Sequence, residues 1–302
     1  NMSEIQGHPM DDFPVRPLKF AVEGIGERDP IWSRTHPRFA MFLNAFSVHV
    51  PYFERYLIRS MTRAKAHISD PTLLRDITGI VGQEAHHAKN FVEFNRALAR
   101  HYPKIAQHDA DANRYFSERA KNDDLKTMVG FTAGYETFTF LGGAIILQNY
   151  KKWFADSDPV IKAMYVWHQV EEIEHGSVAF EVYQHLFGQH EWYRKRMVLG
   201  ALLHIAKEAI KSCSHMSWIA GKKRSPFKWI KDMSFCIYFL SLFVINALPV
   251  FRKGYHPKRH PIANREQNPI QIAWRRYEKA GGNVLEIDHL KMAQILEVST
   301  QE

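Results

Sequence analysis

Two stretches of this 302-residue chain carry the same chemistry in the same register. Ser69-Asp70-Pro71 is followed by Glu84-x-x-His87, and Ser157-Asp158-Pro159 by Glu172-x-x-His175; in both, the Glu lies 15 positions after the Ser and the His 18. Ser-Asp-Pro is a helix start, with a side-chain cap and a proline placed where its missing N–H is not needed. Residues three apart on a helix share a face. Each copy therefore presents a carboxylate beside an imidazole, which is half the donor set of a dinuclear metal site. His168 stands four residues before Glu172 and adds an imidazole to that arc, whereas the first copy has Ile80 there, which cannot bind a metal.

A lone Glu-x-x-His is weak, since about one is expected by chance in a chain this long. Glu286-x-x-His289 is such a case: it follows Gly281-Gly282, has no long helix around it and is expected to be solvated. The matched spacing from matched helix starts sets the other two apart, and two further carboxylates join them. Glu136 is the only charged residue between Thr127 and Gln148, and a carboxylate in so apolar a helix is costly unless paired or metal-bound. Glu54 falls in the stripe of Phe46, Val50, Leu57 and Met61 and points to the core. The neighbours read differently. His86 points about 100° away from His87. Glu171 and Glu174 lie beside the ligand face, either solvated or accepting from a ligand imidazole. Gly130 and Gly134 mark close helix packing.

Positioning these groups takes long helices, and helical patterns dominate the chain. A first helix is expected over about 37–66, kinked or broken at Pro51, and a second over 71–101. A polar helix is expected near 111–119, a third long one over 124–154 and a fourth over 159–186. A basic amphipathic helix over 192–212 follows. Residues 233–251 then hold no charge over about 19 positions, between Lys228/Lys231 and Arg252/Lys253. That run is just long enough to span a bilayer. A buried helix or subunit interface, a surface dipping into a membrane, and a true span are its three readings. The expected division is an arm at 1–36, a metal-binding helical bundle at 37–190, accessory basic and apolar helices at 191–255, and a polar tail at 256–302 that includes a short helix near 270–277.

Composition is globular, with 45% hydrophobic and 24% charged residues. Asn1 reads as an appendage before the initiator Met2, and no secretory signal follows it. Two cysteines, Cys213 and Cys236, without a CxxC give neither a disulfide framework nor a zinc ribbon. A cytoplasmic protein is expected, associated with a membrane if the apolar run reaches one. The net charge of +8 gathers late, in Arg194-Lys195-Arg196, Lys222-Lys223-Arg224, Arg252-Lys253 and Lys258-Arg259. No nucleic-acid motif accompanies these clusters. Contact of 228–253 with an anionic membrane surface is the better expectation, and a homodimer is another.

One Glu from each of two helices and a Glu-x-x-His from each of two others is the di-iron carboxylate arrangement. The set Glu54, Glu84-x-x-His87, Glu136, Glu172-x-x-His175 resembles the ferritin-like di-iron carboxylate superfamily, over about 37–190. The fold class expected is an all-α, ferritin-like four-helix bundle with a dinuclear centre and added C-terminal helices. His168 resembles the extra histidine of arylamine N-oxygenases, and the whole chain is similar to a bacterial family catalogued as predicted metal-dependent hydrolases. The resemblance implies two iron ions (manganese as the substitute), Glu84 and Glu172 as bridging carboxylates, His168 as a seventh ligand, and O2-dependent oxidase or oxygenase chemistry. No catalytic residue stands out beyond the ligands, and the electron donor is left open. The expected substrate is apolar or amphipathic, given the 13% aromatic content and the apolar segment. Hydrolysis by a metal-activated water is the alternative, and iron storage without catalysis a further one.

Overall fold

A computed structural model of the chain describes residues 8, 10–221, 225–263 and 268–300. The Lys222-Lys223-Arg224 cluster and Asn1-Met2 lie outside the described residues. The fold is an all-α bundle with no strand among the described residues.

In chain order the helices are α1 (Pro37–Phe46), α2 (Val50–Lys65), α3 (Pro71–Ala99), α4 (Ile105–Asn122), α5 (Leu125–Gln148) and the single turn α6 (Tyr150–Trp153). They continue as α7 (Pro159–Glu174), α8 (Val178–Phe187), α9 (Glu191–Ala220), α10 (Pro226–Ala247), α11 (Pro269–Lys279) and α12 (His289–Thr300). The twin starts of α3 and α7 are built alike. Asp70 accepts from the backbone N–H of Thr72 and Leu73, and Asp158 from those of Val160 and Ile161, with proline opening the helix in both. Equal caps at equal distances give the two helices the same phase at their Glu-x-x-His.

Three of the expected long helices are interrupted. Pro51 sits at the start of α2, and the chain breaks over 47–49 instead of merely kinking. The 124–154 stretch divides at Asn149 into α5 and α6. The 159–186 stretch divides at 175–177, so His175 is the C-cap of α7 and not a mid-helix residue. A Cβ at Gly176 would lie 2.8 Å from the Phe140 ring and 3.0 Å from the Glu172 carbonyl oxygen. Only glycine lets the chain turn there with Phe140 pressed against it.

α5 is buried along its length and forms the centre, packing against α2, α7, α8, α9 and α10. Gly134 allows α9 to approach, because a Cβ there would lie 2.6 Å from the Met197 carbonyl oxygen; Gly130 meets the same helix. α10 lies along α9, α5 and α1, with one face packed and the other exposed. Beyond residue 256 the chain folds back: Trp274 and Ile287 are fully buried, and Ile287 N–H donates to the Pro159 carbonyl at 2.9 Å. Gly281, at φ 86, turns the chain after α11.

Candidate metal centre

All seven expected ligands meet in the bundle interior. They form two groups of donor atoms, each within 4.8 Å of one another: Glu54, His87, His168 and Glu172 in one, Glu84, Glu136, Glu172 and His175 in the other. α2 supplies Glu54, α3 Glu84 and His87, α5 Glu136, and α7 His168 and Glu172, with His175 at its end. Every one of the seven is buried.

The donor atoms crowd one another, and only His87–Glu54 and His175–Glu172 meet as hydrogen bonds. His87 Nδ1 lies 3.1 Å from Glu54 Oε2 and 3.4 Å from Glu172 Oε1. His168 Nε2 is 2.9 Å from Glu172 Oε1. In the second group His175 Nε2 is 2.8 Å from Glu84 Oε1, 3.3 Å from Glu136 Oε2 and 3.2 Å from Glu172 Oε2. Glu172 thus gives one oxygen to each group. Glu84 leans the same way, with Oε2 at 3.7 Å from His87 Nδ1.

Both Glu84 oxygens, Glu54 Oε1, Glu136 Oε2 and both His168 nitrogens have no hydrogen-bond partner, and all are sealed from solvent. Buried polar atoms left this way in a native fold call for an ion or a strain. Their spacing fits an ion: adjacent ligands of an octahedral cation with bonds of about 2.1 Å stand about 3 Å apart. The hard oxygen and imidazole donors suit iron, manganese or zinc.

Electrostatics match. Burial, then the Glu84 charge, pushes Glu54 up to about 7. Burial and the Glu172 charge push Glu136 up to about 8. Burial and Glu172 also act to raise Glu84, but His175 and His87 outweigh them and hold it at about 2. Burial would raise Glu172 too, yet the His175 and His168 imidazoles keep it well below the carboxylate range. Burial acts to lower His87 and His175, but the carboxylates around them hold both well above the usual imidazole value. Without metal, protons stand where cations would.

The far nitrogens of two imidazoles are fixed from outside. His87 Nε2 is 2.8 Å from Glu171 Oε1, and His175 Nδ1 is 2.7 Å from Gln83 Oε1. Glu171 and Glu174 are fully buried, so the solvated reading fails for both. Glu171 orients an imidazole. Glu174 instead joins a network in which Arg16 donates to Glu171 Oε2 at 2.6 Å and to Glu174 Oε1 at 2.7 Å. Gln83 donates to Glu174 Oε1 at 3.1 Å, and Arg275 Nε stands 2.7 Å from Glu174 Oε2. Glu278 holds Arg16 Nε at 3.0 Å, and Arg16 lies over the Trp274 ring. None of Arg16, Gln83, Trp274, Arg275 or Glu278 is legible as a site residue by spacing. Only Gln83, next to Glu84, carried a local cue.

His86 lies in an outer groove with Lys89 and Arg55, away from the donor groups. Glu286 and His289 are exposed. Ile80 is fully buried. Beside His168 is a cavity of about 20 Å³, room for about one water-sized molecule. It is walled mainly by apolar groups, among them Phe46, Phe138, Phe239 and Phe243, with Thr139 beside them. Thr139 Oγ1 donates to Glu136 Oε1 at 3.1 Å.

No curated protein matches the chain, and no solved structure does. A family model described as "predicted metal-dependent hydrolase" matches residues 14–261, from just before Arg16 to beyond α10. With buried His/Glu groups able to hold metal and a match over most of its length, the chain belongs to the predicted metal-dependent hydrolase family.

Proposed function

We propose that the chain is a dinuclear iron enzyme that uses O2 to oxidise an apolar or amphipathic substrate. The observation that carries this reading is the pair of buried donor groups joined at Glu172. Four carboxylates balance the charge of two divalent ions, and the donors are hard and free of thiolate. Glu54, His87 and His168 would hold one ion, Glu136 and His175 the other, with Glu84 and Glu172 between them. Iron held there would supply the activation of O2 that no amino-acid side chain provides. Glu171 and Gln83 keep two imidazoles turned inward. The aromatic wall keeps bulk water out and favours an apolar reactant.

The second reading is hydrolysis, favoured by the family's description. Two cations can activate a water and polarise an ester or amide. The mainly apolar wall beside His168 favours the oxidative reading. Metal analysis combined with anaerobic reduction separates the two. The oxidative reading expects two irons per chain and a new visible absorption when the ferrous protein meets O2. Ester or amide hydrolysis by zinc-loaded protein without O2, together with ferrous protein inert to O2, would overturn it. Uptake of many irons per chain would instead point to storage.

A further inference from the structure

α10 has two apolar faces, and only one of them is packed. Phe235, Cys236, Phe239 and Phe243 point inward and are buried, and the helix lies against α1, α5 and α9. Outward it shows Phe227, Ile230, Ile237, Val244, Ile245 and Leu248, each at least 50% exposed. At 100° and 1.5 Å per residue these six fall in one stripe about 100° wide and roughly 30 Å long. Two serines share the stripe, and both turn their hydroxyls back onto the helix: Ser234 donates to the Lys231 carbonyl and Ser241 to the Tyr238 carbonyl, each at 2.6 Å. The stripe therefore offers little polar demand to whatever covers it. Lys228 and Lys231 at one end and Arg252 and Lys253 at the other are exposed. Among the described residues none of the four pairs with a carboxylate.

We propose that this face of α10 docks the protein on the surface of an anionic lipid bilayer, with the helix lying in the plane of the interface. Apolar patches this long are rare on soluble monomers and mark an interaction surface. The unpaired cations at its ends match acidic headgroups, each adding attraction near such a surface. A second copy of the chain fits worse. A two-fold pairing of α10 with itself sets cations on cations at both ends, whichever way the helices run. A spanning helix fits worse again. α10 lies along α9, which exposes Lys207 part-way down its length, and a span would draw that charge into hydrocarbon.

The docking face connects to the metal centre. Phe239 and Phe243, on the inner side of α10, line the cavity that His168 and Thr139 share. The helix thus stands between the bilayer and the donor groups, so a substrate dissolved in lipid would reach them past its inner face. That consequence rests on the proposed function; the docking does not.

Vesicle co-sedimentation of the metal-loaded full chain tests the docking without reference to activity. The expected result is binding to vesicles of phosphatidylcholine with phosphatidylglycerol, weakened by salt and weak on phosphatidylcholine alone. Lys228→Gln with Lys231→Gln should weaken the binding roughly thirtyfold at low salt. Ile237→Ser with Ile245→Ser, both exposed positions, should abolish it while helix content and metal content stay unchanged. Failure of the wild-type chain to bind acidic vesicles, or binding indifferent to Ile237→Ser/Ile245→Ser, overturns the proposal. A solution dimer that this pair dissociates, with no vesicle binding, overturns it in favour of a second copy. Metal content read on the same samples keeps the fate of the metal centre separate.

Discussion

His87 faces the donor atoms with Nδ1 and Glu171 with Nε2, and the Nε2–Glu171 Oε1 distance is 2.8 Å. Glu171 thereby fixes which nitrogen turns to the metal and strengthens it as a donor, as outer carboxylates commonly do for metal-bound imidazoles. Glu171→Gln keeps the shape and an acceptor but removes the charge. Metal affinity in the Glu54–His87–His168 group should fall about 10- to 100-fold, with the fold intact. Competition with a chelator, read by metal analysis, measures it. Unchanged affinity would mean that Glu171 serves the fold alone.

Arg16 is the counter-charge for two fully buried carboxylates, Glu171 and Glu174. Removing one partner of a buried pair leaves an uncompensated charge and costs about 3–5 kcal/mol. Arg16→Met should destabilise the protein by that order in a urea titration. Arg16→Lys should recover part of it, since a point charge replaces a fork that serves three carboxylates. A small effect of Arg16→Met would show that Arg275 alone neutralises the cluster.

The two donor groups are unequal. The Glu54–His87 group has a second imidazole, His168, whereas the Glu136–His175 group has none. His168 belongs to the second Glu-x-x-His helix yet joins the group of His87, the histidine of the first. Ile80 on α3 stands four residues before Glu84, as His168 stands four before Glu172, and it is fully buried. Ile80→His should add a donor there and close a position otherwise left for a reactant. On the oxidative reading proposed above, the variant should keep its metal and react with O2 more slowly or not at all, because the open position that such a reaction needs is filled. Wild-type reactivity in a fully loaded Ile80→His protein would place the open position elsewhere. Glu136→Ala provides the complementary measurement, since it should lose the metal of that group and retain the other.

The capped starts at Asp70 and Asp158 and the Glu and His types downstream were visible along the chain because they are local. Cap, proline and ligand all lie within one helix. The break before α2 was signalled by Pro51. Gly176 marks the division after His175, but the apolar periodicity continues around it, and the expectation of one helix over 159–186 follows that periodicity. Asn149 offered no such cue. What the chain order hides is the outer support. Arg16 and Glu278 meet across a sequence separation of 262, and no spacing rule links an arm residue to a helix near the far end. The short helix expected near 270–277 is α11, but the chain beyond it does not trail away as a tail. Gly281 reads as the end of structure when it is a reversal that lets Ile287 reach back to α7.

Proton affinity predicts how metal uptake depends on pH. In the metal-free protein Glu54 is raised to about 7 and Glu136 to about 8, while His87 and His175 are held well above the usual imidazole value. At mildly acidic pH these four groups hold protons that a cation must displace, so affinity should rise with pH, up to tenfold per unit for each proton released. Stability of the metal-free fold moves the other way. An acid whose folded pKa is raised binds more protons folded than unfolded, so the contributions of Glu54 and Glu136 are present below the ordinary carboxylate value and lost as pH rises through about 7 and 8. The raised histidines add a contribution that is full below about 6.5 and lost as pH climbs through their folded values. Glu84 and Glu172, both depressed, act in reverse and withdraw support as pH falls below the ordinary carboxylate value. The metal-free protein should therefore be most stable near the ordinary carboxylate value of 4.5 and lose stability steadily as pH rises above it. The gap in Tm between loaded and metal-free protein should widen as pH rises to about 8.5, with protons released on loading. A gap independent of pH, with no proton release, would mean that these groups do not exchange protons for metal.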